Sequence, residues 1–386
     1  MFAKVAAIIA TILCAAGCAP AGSSSSPSAA GPPVAATVQQ LAPYHGSYAM
    51  HDGGTVVIAR LGWFFDVRDS TYRTLYATSS PNRFTIGATF ESLEPNLADL
   101  VFEGGNLSIK QGRPTRIGRH LDYKETDVHV EAAGAQLAAT VTEPLTAGPH
   151  PGIVIVHGAE RGERHFYDIW VGIYVALGIV VLTYDKRGVG SSSGTFPGEY
   201  PSDEALATYA DDAAAAREFL RRWPRVDASR AGFHGGSQGG WTVPLAMLRH
   251  GGAAFAVLAS APATTVGQTD RWAGFSNNGT ETPAESADKM LAEVRADHSG
   301  YDPLTALRAM TAPALWLLGT NDRTVPTAVC IEILDGLHKP NFTVQQLPTG
   351  HGLLVNPTGL AADDARSPGL APELVPAIGA WFAALR

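Results

Sequence analysis

The chain has 386 residues, 45% of them hydrophobic, and carries a formal net charge of −8. Such a length buries a core for one large domain or for two smaller ones. The acidic balance, with no run of lysines and arginines, excludes the basic stripe of an ordinary nucleic-acid binder.

Residues 1–18 have the pattern of an export signal. Lys4 precedes an apolar run over residues 5–13, too short to cross a bilayer, and Ala15-Ala16-Gly17 leads into Cys18. The pattern resembles a bacterial lipoprotein signal, which implies cleavage before Cys18 and a lipid on that cysteine. It departs from the usual form in having Ala15 where leucine is commonest. The alternatives are ordinary secretion or an uncleaved anchor. The protein is thus expected in the cell envelope, meeting a membrane only through Cys18, or else secreted or periplasmic. Residues 19–40, rich in Ser, Pro, Ala and Gly, are expected to form a disordered tether. With Cys14 and Cys18 in the signal, Cys330 is alone in the folded body, so no disulfide or cysteine metal cluster can form there. It reads as a buried small hydrophobe.

Over residues 41–120 short runs of β-branched and aromatic residues at 55–59, 63–67, 74–77, 84–86 and 107–109 alternate with Gly, Ser, Pro and Asn turns. A small antiparallel β domain follows from this, far too short for a propeller. From residue 125 to 386 strands alternate with helices. Strands are expected at 128–130, 137–141, 153–156, 179–182, just before 237, and at 255–259, 314–318 and 342–346. Helices are expected at 166–177, 204–223, 238–249, 327–337 and 372–385. Several strands are unbroken apolar runs, as when both faces of a parallel sheet are covered. The fold class is therefore α/β, a doubly wound and mostly parallel sheet preceded by the small β domain. A long connection at about 264–308, with an amphipathic pattern at Met290, Leu291 and Val294, is expected to form a lid over the ligand edge of that sheet.

Gly235-Gly236-Ser237-Gln238-Gly239 lies between an apolar run and a helical pattern. A serine at the apex of such a turn is pushed out of the sheet, with glycines relieving the crowding around it. To act as a nucleophile it needs an imidazole as base and a carboxylate to orient that base. Leu315-Trp316-Leu317-Leu318-Gly319-Thr320-Asn321-Asp322 runs from a buried strand into a polar turn, and Val344-Gln345-Gln346-Leu347-Pro348-Thr349-Gly350-His351 does the same. Asp322 and His351 are thus candidates for the partners. His250 and His338, at helix ends, read as structural.

With His157-Gly158-Ala159-Glu160 after the third strand of the α/β part and Tyr184-Asp185-Lys186-Arg187-Gly188 after the fourth, this set resembles the α/β-hydrolase superfamily over about 126–386. Within it the chain is most similar to bacterial secreted serine esterases and to the related acyl-thioester hydrolases and serine aminopeptidase-like proteins. The resemblance implies Ser237, Asp322 and His351 as a catalytic triad. It also implies an oxyanion hole from the backbone N–H groups of Gln238 and Ala159, Gly158 allowing close approach. His157, Asp185 and Arg187 take structural roles. No metal or organic cofactor is implied, and the partner is a small-molecule ester. The alternatives are a peptidase, aminopeptidase or acyl thioesterase with the same triad. The loop at His157 departs from the His-Gly-Gly-Pro-Gly of proline aminopeptidases, and there is no room for a prolyl oligopeptidase propeller. A hypothesis of another class is a non-catalytic lipoprotein whose β domain binds a ligand.

Overall fold

The computed structural model describes residues 34–92, 95–112 and 114–385. Residues 1–33, with the expected signal, Cys18 and most of the tether, lie outside them.

Nine antiparallel strands come first: β1 (Gly46–Met50), β2 (Thr55–Ala59), β3 (Trp63–Asp66), β4 (Thr71–Thr74), β5 (Tyr76–Ala77), β6 (Arg83–Gly87), β7 (Asn96–Glu103), β8 (Asn106–Lys110) and β9 (Arg116–Leu121). Their order is β4-β3-β2-β1-β9-β8-β7-β6-β5. The two ends of the sheet are therefore consecutive in the chain, joined at the buried Leu75. The sheet curls round into a nearly closed barrel, which leaves little open edge. Tyr48, Val56, Ile58, Leu100 and Phe102 fill its interior.

The strands β1, β7 and β9 were not among those expected from the sequence, and two boundaries also differ from it. The run expected at 74–77 is split at Leu75, where the chain turns from one edge strand to the other. The tether does not extend to residue 40, because residues 34–41 belong to the barrel. Ala36 N donates to Leu75 O and Ala77 N to Val34 O, Thr37 caps the single turn Val38–Leu41, and Leu41 is fully buried.

The second sheet has eight strands: β10 (Lys124–Ala132), β11 (Ala135–Glu143), β12 (His150–Val156), β13 (Val180–Tyr184), β14 (Val226–Gly236), β15 (Ala256–Ala259), β16 (Ala314–Gly319) and β17 (Phe342–Leu347). Their order is β10-β11-β13-β12-β14-β15-β16-β17. All pairs from β13 onward are parallel. The helices longer than four residues are α1 (Asp168–Ala176), α2 (Asp203–Arg221), α3 (Gly239–His250), α4 (Val266–Phe275), α5 (Ala287–Ala296), α6 (Leu304–Ala309), α7 (Thr327–Gly336) and α8 (Leu374–Ala384). Ser202 caps α2 by accepting from Ala205 N at 3.2 Å, with Asp203 and Glu204 near the positive helix end. Successive residues serve opposite faces. Val154 and Val156 join one core, while Ile153 and Ile155 join the other.

That second core also takes in the barrel. Val57, Ala59 and Phe65 pack with Ile153, Ile155 and Ile173, so β2 is buried on both faces and reads as a continuous apolar run. α1 approaches so closely that a Cβ on Gly172 would meet Val57 Cγ2 at 2.4 Å. Arg60 bridges Asp168 at 3.0 Å and Glu125 at 2.5 Å. On the other side Phe90 N and Glu91 N donate to Ser367 O and Ala365 O, and Leu370 N to Ser70 O. The β domain is thus built into the α/β body rather than appended to it.

Candidate active site

The candidate residues sit at the carboxyl ends of β12, β14, β16 and β17. β14 ends at Gly236, and α3 begins at Gly239. Between them Ser237 has φ 49°, a left-handed conformation that a residue with a Cβ adopts at a cost. Ser237 N donates to Ala259 O at 3.1 Å, and Gly240 N to Ser237 O at 2.8 Å. Crowding demands glycine only in part of the motif. A Cβ on Gly235 would meet Gly239 O and Val243 Cγ2 at 2.9 Å, and one on Gly240 would meet Pro262 N at 2.7 Å. Gly236 has room, with nothing nearer than 4.0 Å.

The structure brings Ser237, His351 and Asp322 together. His351 Nε2 lies 3.1 Å from Ser237 Oγ, and His351 Nδ1 lies 2.8 Å from Asp322 Oδ2. The other carboxylate oxygen, Oδ1, accepts from Thr324 N at 2.7 Å and Val325 N at 2.8 Å. Asp322 is buried, so these donors hold it in one rotamer with Oδ2 aimed at the ring. Burial opposes a charged His351, but the charge and hydrogen bond of Asp322 outweigh it and raise the imidazole above its ordinary 6.5.

Across from Ser237 stands the loop after β12. Among the described residues no hydrogen bond occupies the N–H of Gln238 or of Ala159. The loop is held by buried polar groups that the sequence reading did not single out. Gly158 N donates to Tyr167 Oη at 3.1 Å, Tyr167 Oη donates to Glu160 Oε1 at 2.6 Å, and Lys186 Nζ donates to Gly158 O at 2.5 Å. Burial would raise Glu160, but hydrogen bonds from His157 and Tyr167 and the Lys186 charge bring it down to about 2. Burial brings Lys186 down to about 8. A Cβ on Gly158 would lie 2.5 Å from Glu160 Oε2 and 3.3 Å from Ser237 Cβ, so glycine is what lets the loop reach the serine. His157 donates through Nε2 to Tyr184 O and takes no part in the triad. Asp185 accepts from Arg164 N and Ser191 N, and Arg187 pairs with buried Asp212. Cys330 is buried and is raised to about 12 by desolvation.

A cavity of about 310 Å³ opens over Ser237 and His351. Its apolar wall includes Trp63, Tyr72 and Phe90 from the barrel and Trp170, Leu353 and Leu354 from the α/β body. The lid expected at 264–308 does not cover it: of that insertion only Asn278 lines the cavity. The reason lies in where α4 packs. Trp272 Nε1 donates to Asp322 O at 2.9 Å, and Ser276 Oγ to Arg323 O at 3.4 Å. The insertion thus buttresses the Asp322 loop, and the covering role falls to the barrel. Contacts between segments so far apart in sequence leave no local signal.

The parallel sheet, the serine turn after β14 and the Asp322 and His351 loops after β16 and β17 make up the α/β-hydrolase fold. The model of the prolyl oligopeptidase family matches residues 166–353. The protein Rv2307c of Mycobacterium tuberculosis strain H37Rv, itself uncharacterised, is 26% identical over 227 residues, covering 58% of this chain and 72% of its own. An esterase of Pyrococcus furiosus, Pf2001, superposes with a TM-score of 0.50 at 16% identity, covering 68% of this chain and 91% of its own. An acylaminoacyl peptidase of Pyrococcus horikoshii gives a TM-score of 0.46 at 15% identity, covering 89% of this chain and 56% of its own.

Proposed function

We propose that this protein is a serine hydrolase that cleaves carboxylic esters through an acyl-enzyme. The reading rests on one observation, His351 standing in hydrogen-bond reach of both Ser237 and Asp322. Ser237 Oγ attacks the ester carbonyl while His351 Nε2 takes its proton. The oxyanion is stabilised by the N–H groups of Gln238 and Ala159, and His351 then passes the proton to the departing alcohol. Water, activated by the same imidazole, attacks the acyl-enzyme and releases the acid and free Ser237.

An ester is favoured over an amide by the largely apolar cavity, since a peptide backbone would need several polar partners there. The match to the prolyl oligopeptidase family supports peptidase action as a second reading. A panel of esters, acyl thioesters and aminoacyl amides, run against wild type and Ser237→Ala, separates the two. Ester turnover that disappears in the variant is the expected result, and faster turnover of the amides would replace the ester reading.

We also propose export and lipid attachment at Cys18, on the signal pattern of residues 1–18. No helix among the described residues is long and apolar enough to cross a membrane. Incorporation of a labelled fatty acid that is lost in Cys18→Ala is expected; labelling that persists in the variant would refute attachment at this residue.

A further inference from the structure

Ser260 stands beside the nucleophile and has no part in the chemistry above. It follows β15 directly, and the register Gly236↔Ala259 sets it on the strand end next to Ser237. Like Ser237 it is left-handed, with φ 47°. It lines the catalytic cavity and is 4% exposed. Its Oγ is buried and has no hydrogen-bond partner among the described residues. A serine there is doubly unfavourable for folding. The backbone conformation strains a residue with a Cβ, and a shielded hydroxyl has given up water without a replacement. Alanine would remove the second penalty and glycine would remove both, so folding gives no reason for the hydroxyl.

We infer that Ser260 is a specificity-determining residue whose hydroxyl bonds a polar substituent on the carbon next to the scissile carbonyl. Preferred substrates are then esters of 2-hydroxy or 2-acylamino acids with an apolar, ring-sized remainder. This rests on the ester hydrolase reading. The sheet order β12-β14-β15 puts Ser260 on the opposite side of Ser237 from the Ala159 loop. A substituent can therefore reach Ser260 while the carbonyl oxygen faces the oxyanion donors. The His351 side chain is 21% exposed, so the alcohol that takes its proton leaves near the mouth and the acyl part lies deeper, beside Ser260. The remainder of the acyl group meets the aromatic wall at Tyr72, Phe90 and Trp170.

The test uses the full chain and four 4-nitrophenyl esters in two pairs, mandelate with phenylacetate and N-acetylphenylalaninate with 3-phenylpropanoate. Polar substituents activate esters intrinsically, so the quantity read is the substituted-to-unsubstituted ratio of kcat/KM in wild type divided by that in the variant. Ser260→Ala and Ser260→Gly are expected to lower the ratio about 10- to 100-fold for at least one pair, and the affected pair tells hydroxyl from amide. Both variants should also melt at higher temperature than wild type. Should both fail to fold, wild type alone decides: it should distinguish the enantiomers of the substituted esters by about 10-fold or more. The inference is overturned by an unchanged ratio, by an equal fall for both members of each pair, or, in wild type alone, by equal rates on both enantiomers. If wild type hydrolyses none of the four but takes a phosphonate label on Ser237, this inference fails alone. If it neither hydrolyses nor labels, the ester hydrolase reading fails with it.

Discussion

At Ser237 the left-handed backbone presents Oγ to the imidazole, which lies 3.1 Å away. Removing that oxygen with Ser237→Ala should lower kcat by at least about 10⁴-fold with the fold intact. Asp322→Asn keeps the shape but favours the wrong tautomer of His351, and about 10⁴-fold is again the expected loss. The pH profile has a definite sign. His351 must be neutral to accept a proton, and Asp322 raises it above 6.5, so kcat/KM should fall on acidification with a midpoint above the ordinary histidine value. Asp364 also raises His351 by its charge, so Asp364→Asn should move the midpoint to lower pH. A shift to higher pH would contradict this electrostatic account. Of this site, Ser237, Asp322 and His351 were legible because each has a local signature, a glycine turn or a strand running into a polar loop. Glu160, Tyr167 and Lys186 were not, although two of them lie inside motifs noticed for other reasons. Burial turns an ordinary charged residue into a brace, and burial of single side chains is not written in local pattern.

Among the elements, the central strands β13, β15 and β16 of the second sheet were readable because both faces are covered there and every residue along them is buried, whereas the edge strand β10 is mostly exposed and showed itself only around Val128 and Val130. In the barrel the alternation Ala98, Leu100, Phe102 of β7 was present to be read, all three facing inward. β9 offers no such cue, since only Gly118 is buried along it. The turn into α3 makes a prediction at this scale. Gly240→Ala places a methyl against the backbone of Pro262 and should destabilise by about 1–3 kcal/mol, measured by denaturant titration. Of the insertion only the helix around Met290, Leu291 and Val294 was legible, and its task was not, because a buttress and a lid have the same amphipathic pattern. Trp272→Phe keeps the ring and removes the donor to Asp322 O. We expect kcat to fall several-fold with KM nearly unchanged, whereas a lid residue would change KM most.

For the whole molecule, the decisive feature is the core shared by the barrel and the α/β body. Val57, Ala59 and Phe65 belong to the same apolar cluster as Ile153 and Ile155, so the two parts should unfold together. A single calorimetric transition is expected, with calorimetric and van't Hoff enthalpies in agreement; two separated transitions would show independent domains. Removing residues 1–121 would expose that cluster and one wall of the cavity. The truncated chain should aggregate or melt well below the full one, so the barrel's effect on substrate choice is better tested by Phe90→Ala in the intact chain. Composition gave two kinds of structure in sequence, and only the fold joins them around one cavity.

The central claim is that Ser237 is an activated nucleophile. The most direct measurement is reaction of the folded protein with a fluorophosphonate, followed by intact mass and peptide mapping. One phosphonate per chain, located on Ser237 and absent in Ser237→Ala, is the predicted result. A folded wild type that takes no label, or takes it on another residue, would contradict the account.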